Sequence, residues 1–208
     1  MHQTLFKIKC QKPFLITFGS FFISSTANYN KVMITNGFSS SSTRKTEILN
    51  LANGYICSDL SDFPSSYLIG SVGGNLNGTP ILCGGTSYGF SKICYRFNND
   101  VWEEFTSMKE KRTSAAGVIY NNKKLHIFGG WDGSKLQTSE IIDVDGGVSD
   151  GPDLPIALAG HAMTSINNTV SIISGGTPSE NKFKYMKSRA IYNPDLLNFQ
   201  KLTVYLPF

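Results

Sequence analysis

The stretch "LHIFGG", residues 125–130, is a short apolar run that ends in two glycines. Related stretches end at Gly37 ("VMITNG"), Gly85 ("PILCGG") and Gly176 ("SIISGG"), so the four copies lie 48, 45 and 46 residues apart. An internal period of roughly 20 to 50 residues is typical of solenoids, propellers and other repeat architectures. The fold is therefore expected to consist of four similar structural units.

Each copy continues through a polar loop into a second apolar segment, and these segments are "TEILNL" (46–51), "SKICYRF" (91–97), "SEIIDV" (139–144) and "SRAIYN" (188–193). Turn residues such as Asn53-Gly54 and Asp145-Gly146 follow, and they supply the positive φ angles of a tight hairpin. A short strand comes next, clearest in "VWEEF" (101–105). A further apolar strand, such as "TSAAGVIY" (113–120), leads back to the double glycine. One period thus holds four strands, named a to d, with the glycines closing strand b.

Strand b is apolar on both faces, because Leu125 and Ile127 point one way and His126 and Phe128 the other. Such a strand needs cover on both sides. Small sheets that stack face to face around an axis form a β-propeller. The prediction is an all-β propeller of four-stranded antiparallel blades, about four in this chain, with an incomplete ring favoured over a small closed ring. The glycine pair would let neighbouring backbones approach closely.

At these positions the sequence resembles the Kelch-repeat family, whose motif combines a double glycine after strand b, an aromatic residue in strand c and a Trp in strand d. The matching residues are Gly37, Gly84, Gly85, Tyr95, Trp102, Gly129, Gly130, Gly175, Gly176 and Tyr192. The second copy matches best, whereas copies one and three lack the Trp. The WD40 repeat is disfavoured because the Trp131-Asp132 pair follows the glycines in a loop. The resemblance implies a protein-binding propeller that normally has more than four blades.

The first 27 residues have two interpretations. Three lysines before the apolar run "PFLITFGSFFIS" (13–24) and the small residues at 25–27 are typical of a cleaved signal peptide, which would leave residues 28–208 as the propeller domain. Alternatively, the segment from about residue 20 is the first strand of blade 1, since it aligns without a gap with 113–120. The run is too short and interrupted for a membrane span.

Cys83 and Cys94 lie in strands b and c of one blade, where an antiparallel hairpin makes them facing partners. A disulfide is predicted if the chain is exported, and two buried thiols if it is not. A secreted subset of the Kelch family has a similar arrangement. Two glycosylation sequons, at Asn77 and Asn167, occupy the same a–b turn of different blades. Secretion is favoured over a cytoplasmic location, although Cys57 has no evident partner.

Composition and motifs give little support to catalysis or nucleic-acid binding. The net charge of +4 comes from scattered residues, so no basic block is present. "GTSYG" (85–89) fits a nucleophile elbow around Ser87, but a strand follows it where that device needs a helix. His2, His126 and His161 lack metal-ligand spacing, and the latter two are expected to be structural histidines with satisfied hydrogen bonds. No cofactor is predicted, and a copper-oxidase propeller is a remote alternative.

The b–c and d–a loops share one face of the predicted disc and are longer and more varied than the turns opposite. Loops on a rigid scaffold are where binding concentrates. The candidate partner-binding residues are Arg44, Tyr88, Phe90, Arg112, Trp131, Asp132, Lys135, Phe183 and Tyr185. Aromatic residues and Arg are common interface anchors, and the basic bias suggests a protein partner with an acidic segment. The alternative is an intracellular substrate-recruiting module of a ubiquitin-ligase adaptor. The oligomeric state is not predicted.

Overall fold

The computed structural model contains only β-strands, turns and loops in the part of the chain that it describes. The described residues are 15–19, 22–23, 31–37, 43–50, 52, 54–57, 60–65, 68–167, 170–178, 189–193 and 198–202. The strands form four separate sheets, and three of them contain four antiparallel strands each. The prediction of an all-β chain built from four-stranded antiparallel sheets is confirmed for these three.

The sheets follow the chain order. Sheet 1, in the order β2-β1-β3-β4-β5, contains β1 (Leu15–Gly19), β2 (Phe22–Ile23), β3 (Lys31–Gly37), β4 (Thr43–Asn50) and β5 (Ile56–Cys57). Sheet 2 contains β6 (Val72–Leu76), β7 (Thr79–Cys83), β8 (Ile93–Asn98) and β9 (Val101–Ser107). Sheet 3 contains β10 (Ala116–Tyr120), β11 (Lys124–Phe128), β12 (Ser139–Asp143) and β13 (Val148–Asp150). Sheet 4 contains β14 (Leu158–Asn167), β15 (Val170–Pro178), β16 (Arg189–Asn193) and β17 (Asn198–Leu202). In sheets 2 to 4 these are strands a, b, c and d in order.

Sheet 1 departs from the expected pattern. The strand beside β3 is β1, which runs parallel to it in the register Leu15–Val32 to Phe18–Thr35, and β2 adds a fifth strand antiparallel to β1. The gapless alignment with 113–120 instead predicts an antiparallel first strand from about residue 20. The β-branched and aromatic residues of "LITFG" suit a strand better than the polar segment at 25–30 does. Whether residues 1–27 are a signal peptide stays a prediction.

The four sheets pack face to face in sequence order through three hydrophobic clusters. Met33 and Ile48 of sheet 1 pack with Leu82 and Tyr95 of sheet 2. The second cluster joins sheets 2 and 3, through Val72, Leu76, Ile81, Leu125, Ile127 and Ile142. The third joins sheets 3 and 4, through Ala116, Val118, Phe128, Met163 and Ile173. The predicted division of strand b is therefore confirmed, because Leu125 and Ile127 face sheet 2 and Phe128 faces sheet 4.

Trp102 links two sheets by both packing and hydrogen bonding. Its Nε1–H donates to Thr46 Oγ1 of sheet 1 at 2.9 Å, and Thr46 is hydrogen-bonded to Thr35 at 3.1 Å. The Trp102 and Tyr95 rings both meet Phe63 edge-on, with centroids 5.1 and 4.7 Å away. A buried Trp commonly finds a partner for its N–H. The Trp of strand d thus fixes sheet 2 against sheet 1.

Each crossover from strand d to the next strand a carries one buried apolar anchor. These anchors are Phe63, Met108 and Leu154, and each lies in the cluster between two sheets. The backbone N–H of each anchor donates to a carbonyl at or just before the start of a strand c, at Arg44, Lys92 and Gln137 in turn, at 2.7–2.8 Å. This repeated anchor holds the crossover on top of the sheet interface.

The Cys83 and Cys94 prediction is confirmed. The two residues are register partners on β7 and β8, their Cα atoms lie 4.0 Å apart, and their Sγ atoms are joined at 2.12 Å. Both side chains are fully buried in the cluster between sheets 2 and 3. In sheet 1 the matching positions are held by Thr35 and Thr46, which hydrogen-bond to each other. The same cross-strand position therefore carries a covalent link in one sheet and a polar link in another.

Removing the disulfide is expected to lower the free energy of unfolding by about 3 kcal/mol, because the link closes a short loop in the unfolded chain. The variant Cys83→Thr/Cys94→Thr copies the Thr35/Thr46 pair and should fold with this penalty. Urea denaturation of the variant and of the oxidised wild-type protein measures the difference. Equal midpoints would show that the disulfide does not stabilise the sheet.

Candidate interaction surface

The glycine pairs form the corners at which strand b meets the following loop. Gly84 and Gly85 have φ angles of +67° and +95°, and Gly129 and Gly130 have +57° and +104°. The first glycine of each pair donates its N–H to Ile93 or Thr138 in its own sheet. The second donates to the next crossover, at Arg112 O or Leu158 O, at 2.8 Å. The repeated glycines are thus the points where one sheet is hydrogen-bonded to the crossover leading to the next.

The remaining motif residues lie in the strands that the repeat predicts. Gly175 and Gly176 are in β15 with φ angles of +76° and +86°. Gly37 ends β3, and Tyr192 of β16 pairs with Ser171 and Phe199. The motif residues therefore occupy corresponding positions of successive sheets.

A second set of backbone hydrogen bonds connects the starts of successive a strands. Ser114 N–H donates to Gly70 O at 2.8 Å, and Gly160 N–H donates to Ser114 O at 2.9 Å. All three residues have positive φ, at +69°, +53° and +67°. Because they lie 44 and 46 residues apart, the same backbone conformation recurs once per repeat. These bonds hold the crossovers, and the loops beside them, in a fixed arrangement.

We call the surface formed by segments 84–92, 108–115, 129–138 and 151–157 the loop face. Isolated bridges pair Thr86 with Phe90 and Trp131 with Lys135, so the two b–c loops are tight turns. The Tyr88 side chain is 92% exposed and that of Trp131 37% exposed. Asp132 Oδ1 accepts hydrogen bonds from Ser134 N–H and Oγ–H at 3.1 Å. Two aromatic side chains are therefore presented on loops of fixed shape.

The other predicted partner-binding residues differ in how far they are buried and in what they contact. Phe90 and Lys135 are half-buried, and Lys135 Nζ donates to Pro178 O of sheet 4 at 2.8 Å. Arg44 is exposed and lies 4.0 Å from Asp62, which Lys45 approaches to 3.1 Å. Phe183 and Tyr185 fall outside the described residues. Arg44, Tyr88, Trp131 and Asp132 are thus the exposed members of the predicted set, and Arg44 lies beside Asp62.

Arg112 has no exposed side-chain surface to offer a partner. Its guanidinium donates to Glu140 at 2.7 Å, to Glu110 at 3.1 Å and to Gly129 O at 2.8 Å. Glu140 is also buried, and it accepts the backbone N–H groups of Lys109 and Glu110. Leu68 and Leu158 occupy the corresponding position of the other crossovers. We therefore leave Arg112 out of the proposed surface, since the ion pair ties its crossover to sheet 3.

The loop face carries more exposed basic side chains than acidic ones. Lys92, Lys109 and Lys111 are exposed, and of these Lys109 pairs with Asp150 at 2.7 Å. The exposed acidic side chains of the loop face are Asp132 and Asp153, so the basic excess is one side chain. An excess of positive charge favours encounter with acidic segments and matters more for on-rate and specificity than for affinity.

The a–b and c–d turns lie at the opposite edge of the sheets. Asn77 N–H donates to Asn122 O at 2.7 Å, so the a–b turns of sheets 2 and 3 are joined there. Asn77 is exposed. Asn167 ends β14, and its side chain lies outside the described residues. A glycan on Asn77 would therefore leave the loop face uncovered.

The groups considered for catalysis and metal binding can be located in the described part of the chain. Within the described part of the chain, no three His, Cys, Asp or Glu residues are grouped to hold a metal ion. Ser87 precedes strand β8, as predicted, and not a helix. No helix long and apolar enough to cross a bilayer occurs among the described residues.

Of the two histidines, His126 and His161, only the second differs from the expectation of satisfied hydrogen bonds. Both are buried, and His161 has no hydrogen-bond partner for either ring nitrogen among the described residues. It lies under the glycine corners, in contact with the Gly129 and Gly176 positions. Burial lowers the pKa of His126 and of His161 from 6.5 to about 4. Both imidazoles are therefore neutral at pH 7.

Acid is expected to destabilise the protein through these histidines. Because the folded pKa lies below the unfolded one, the unfolded chain binds more protons between pH 6.5 and about 4, and stability falls as the pH decreases through that window. The full effect is about 3 kcal/mol per histidine. Urea unfolding at several pH values should show a flatter profile for His161→Gln than for the wild type. If the stability of His161→Gln and of the wild type fell in parallel with decreasing pH, His161 would not be a source of the acid sensitivity.

Comparisons with known proteins support the fold only. No protein-family model matches the sequence, and no curated protein matches it. Among solved structures, "Structure of YjhT" is similar with a TM-score of 0.72 and 13% sequence identity, over 92% of this chain and 66% of that one. This chain thus spans about two thirds of the length of that structure. At such identity the likeness concerns the fold alone.

Proposed function

We propose that the chain is a Kelch-type β-propeller module without catalytic activity that binds a protein partner through the loop face. Three features support the propeller. Four sheets pack face to face in chain order, a repeated hydrogen bond links the starts of the a strands of sheets 2, 3 and 4, and a glycine pair closes strand b in these same three sheets. Radial stacking of such sheets is the propeller architecture.

The observation that carries the binding proposal is the exposure of Trp131 and Tyr88 on adjacent, rigid b–c loops. A Trp and a Tyr offer large apolar area with few rotatable bonds, so they lose little entropy on binding. Trp131 is held by its bridges to Thr113 and Lys135, and Lys135 is in turn bonded to sheet 4. A preformed surface of this kind fits a partner segment without reorganisation.

The proposed partner is a protein segment with acidic residues flanking an apolar side chain. The apolar side chain would pack on Trp131 and Tyr88, and the acidic residues would lie near Lys92 and Lys111. The proposal places the module outside the cell. The buried Cys83–Cys94 disulfide agrees with an oxidising compartment, and Asn77 lies away from the loop face.

Selection of displayed random peptides on the purified chain tests this function. Enriched peptides should contain acidic residues and at least one apolar residue. Their affinity, measured by biolayer interferometry, should fall at least about tenfold in Trp131→Ala and in Tyr88→Ala. It should also weaken with added salt.

The matched control is Val101→Ala, which removes an exposed apolar side chain at the start of β9, beside the c–d turn. It should leave peptide binding unchanged. Failure to enrich any peptide, or equal losses in Val101→Ala and Trp131→Ala, would overturn the proposed surface.

A further inference from the structure

Sheets 2 and 3 each pack against the following sheet through side chains at the same positions of strand a. In β6 these are Val72 and Leu76, which are buried against Leu125 and Ile127 of sheet 3. In β10 they are Ala116, Val118 and Tyr120, which are buried against sheet 4. We call this side of a sheet its outgoing face. The outgoing face of sheets 2 and 3 is therefore closed by strand b of the following sheet.

Sheet 4 carries the same pattern without cover from the described residues. The corresponding residues of β14 are Ala162, Thr164 and Ile166, and all three are exposed, Ile166 to 62%. On the next strand Ser174 is exposed and Ile172 half-buried, whereas the matching Cys83 and Ile81 of sheet 2 are buried. The opposite side of sheet 4 is packed normally, through Met163 and Ile173. The exposure is thus confined to the outgoing face.

The composition of this face indicates what would cover it. Its described residues are small or apolar and uncharged, as in sheets 2 and 3. Continuity with the two closed interfaces calls for a strand b with apolar side chains at alternate positions, as Leu125 and Ile127 supply to sheet 2. In the sequence of β3, Val32 and Ile34 stand at those positions. Strand b of sheet 1 in another molecule therefore has the sequence pattern needed to cover the exposed face of sheet 4.

We propose that the outgoing face of sheet 4, formed by Ala162, Thr164, Ile166, Ile172 and Ser174, binds sheet 1 of a second copy of this chain. The contact is head-to-tail, so different surfaces of the two molecules meet. Such heterologous contacts close into a ring when the rotation permits and otherwise extend. The interface would continue the stack of sheets from one molecule into the next.

The test is the oligomeric state of the full chain, measured by sedimentation equilibrium over a wide concentration range. The wild-type protein should show a multiple of 22.8 kDa. Ile166→Asp places a charge in the proposed interface and should raise the dissociation constant at least about tenfold. Since Ile166 is exposed within one molecule, the variant should keep the far-UV circular dichroism and urea midpoint of a folded chain.

The control is Val101→Asp, which adds the same charge at a side chain that is 53% exposed on sheet 2. Association should persist in this variant and weaken in Ile166→Asp. A wild-type chain that is monomeric at all concentrations would overturn the proposal, as would association that Ile166→Asp leaves unchanged. A result of either kind leaves the loop-face function standing, because peptide binding is measured separately.

Discussion

Replacing Gly129 with alanine is expected to lower the free energy of unfolding by about 3 kcal/mol or more. Gly129 has a φ of +57°, which costs a residue with a Cβ about 1–2 kcal/mol. The added Cβ would also lie 2.5 Å from Leu158 O and 2.9 Å from Leu154 Cδ1. Leu154 belongs to the crossover into sheet 4 and Leu158 is the first residue of β14, so sheets 3 and 4 would have to separate. Overpacking of this kind costs roughly another 1–3 kcal/mol.

The matched control for this prediction is Gly78→Ala in the β6–β7 turn. Gly78 has a similar φ of +78°, but no heavy atom lies within 4 Å of an added Cβ. Its cost should therefore be the conformational part alone, about 1–2 kcal/mol. Urea unfolding of both variants separates the cost of the positive φ angle from the cost of the steric overlap at Gly129. Equal losses would contradict the idea that the glycine pairs are required by sheet-to-crossover packing.

Breaking the Arg112–Glu140 ion pair is the second change with a large expected effect. Both side chains are buried, and Glu140 also accepts two backbone N–H groups of the crossover. Arg112→Leu leaves a buried carboxylate without its cation, and Glu140→Tyr leaves a buried guanidinium with only the partly exposed Glu110 as an anion. Loss of one partner of a buried pair costs about 3–5 kcal/mol. Denaturant unfolding of each single variant measures it.

The double variant Arg112→Leu/Glu140→Tyr reproduces the arrangement one sheet earlier, where Leu68 and Tyr95 pack in the same cluster. A hydrophobic pair of suitable shape can replace a buried ion pair at little cost. The double variant should therefore be more stable than either single variant. Additive losses in the double-mutant cycle would show that the two side chains are not coupled.

The glycine repeat was sufficient to predict strand b and the facing of Cys83 and Cys94, because both depend on local backbone geometry and hairpin register. It also predicted that opposite sides of strand b face different sheets. The four strands of each unit were predicted for sheets 2, 3 and 4. The parallel strand β1 was not, because strand direction is set by pairing across the sheet and leaves no local pattern.

The crossover anchors Phe63, Met108 and Leu154 escaped sequence analysis because they share only apolar character. Their common feature is a backbone hydrogen bond that a sequence does not display. Arg112 was predicted to contact a partner because it lies on a d–a crossover and Arg is a common interface anchor. Its buried partner Glu140 lies 28 residues away, and only the packing of sheet 3 on the crossover brings the two together. Tyr88 and Trp131 were predicted because aromatic residues on loops are common interface anchors, and the structure gives both of them exposed surface.

The stacking of successive sheets is tested most directly by hydrogen exchange of the Ser114 and Gly160 amides. Both residues lie at the starts of a strands, and their N–H groups are bonded to the start of the preceding a strand. Amide exchange followed by NMR should show protection comparable to that of the central amides of β11. Exchange as rapid as that of the exposed loop amide of Gly133 would contradict the stacked arrangement.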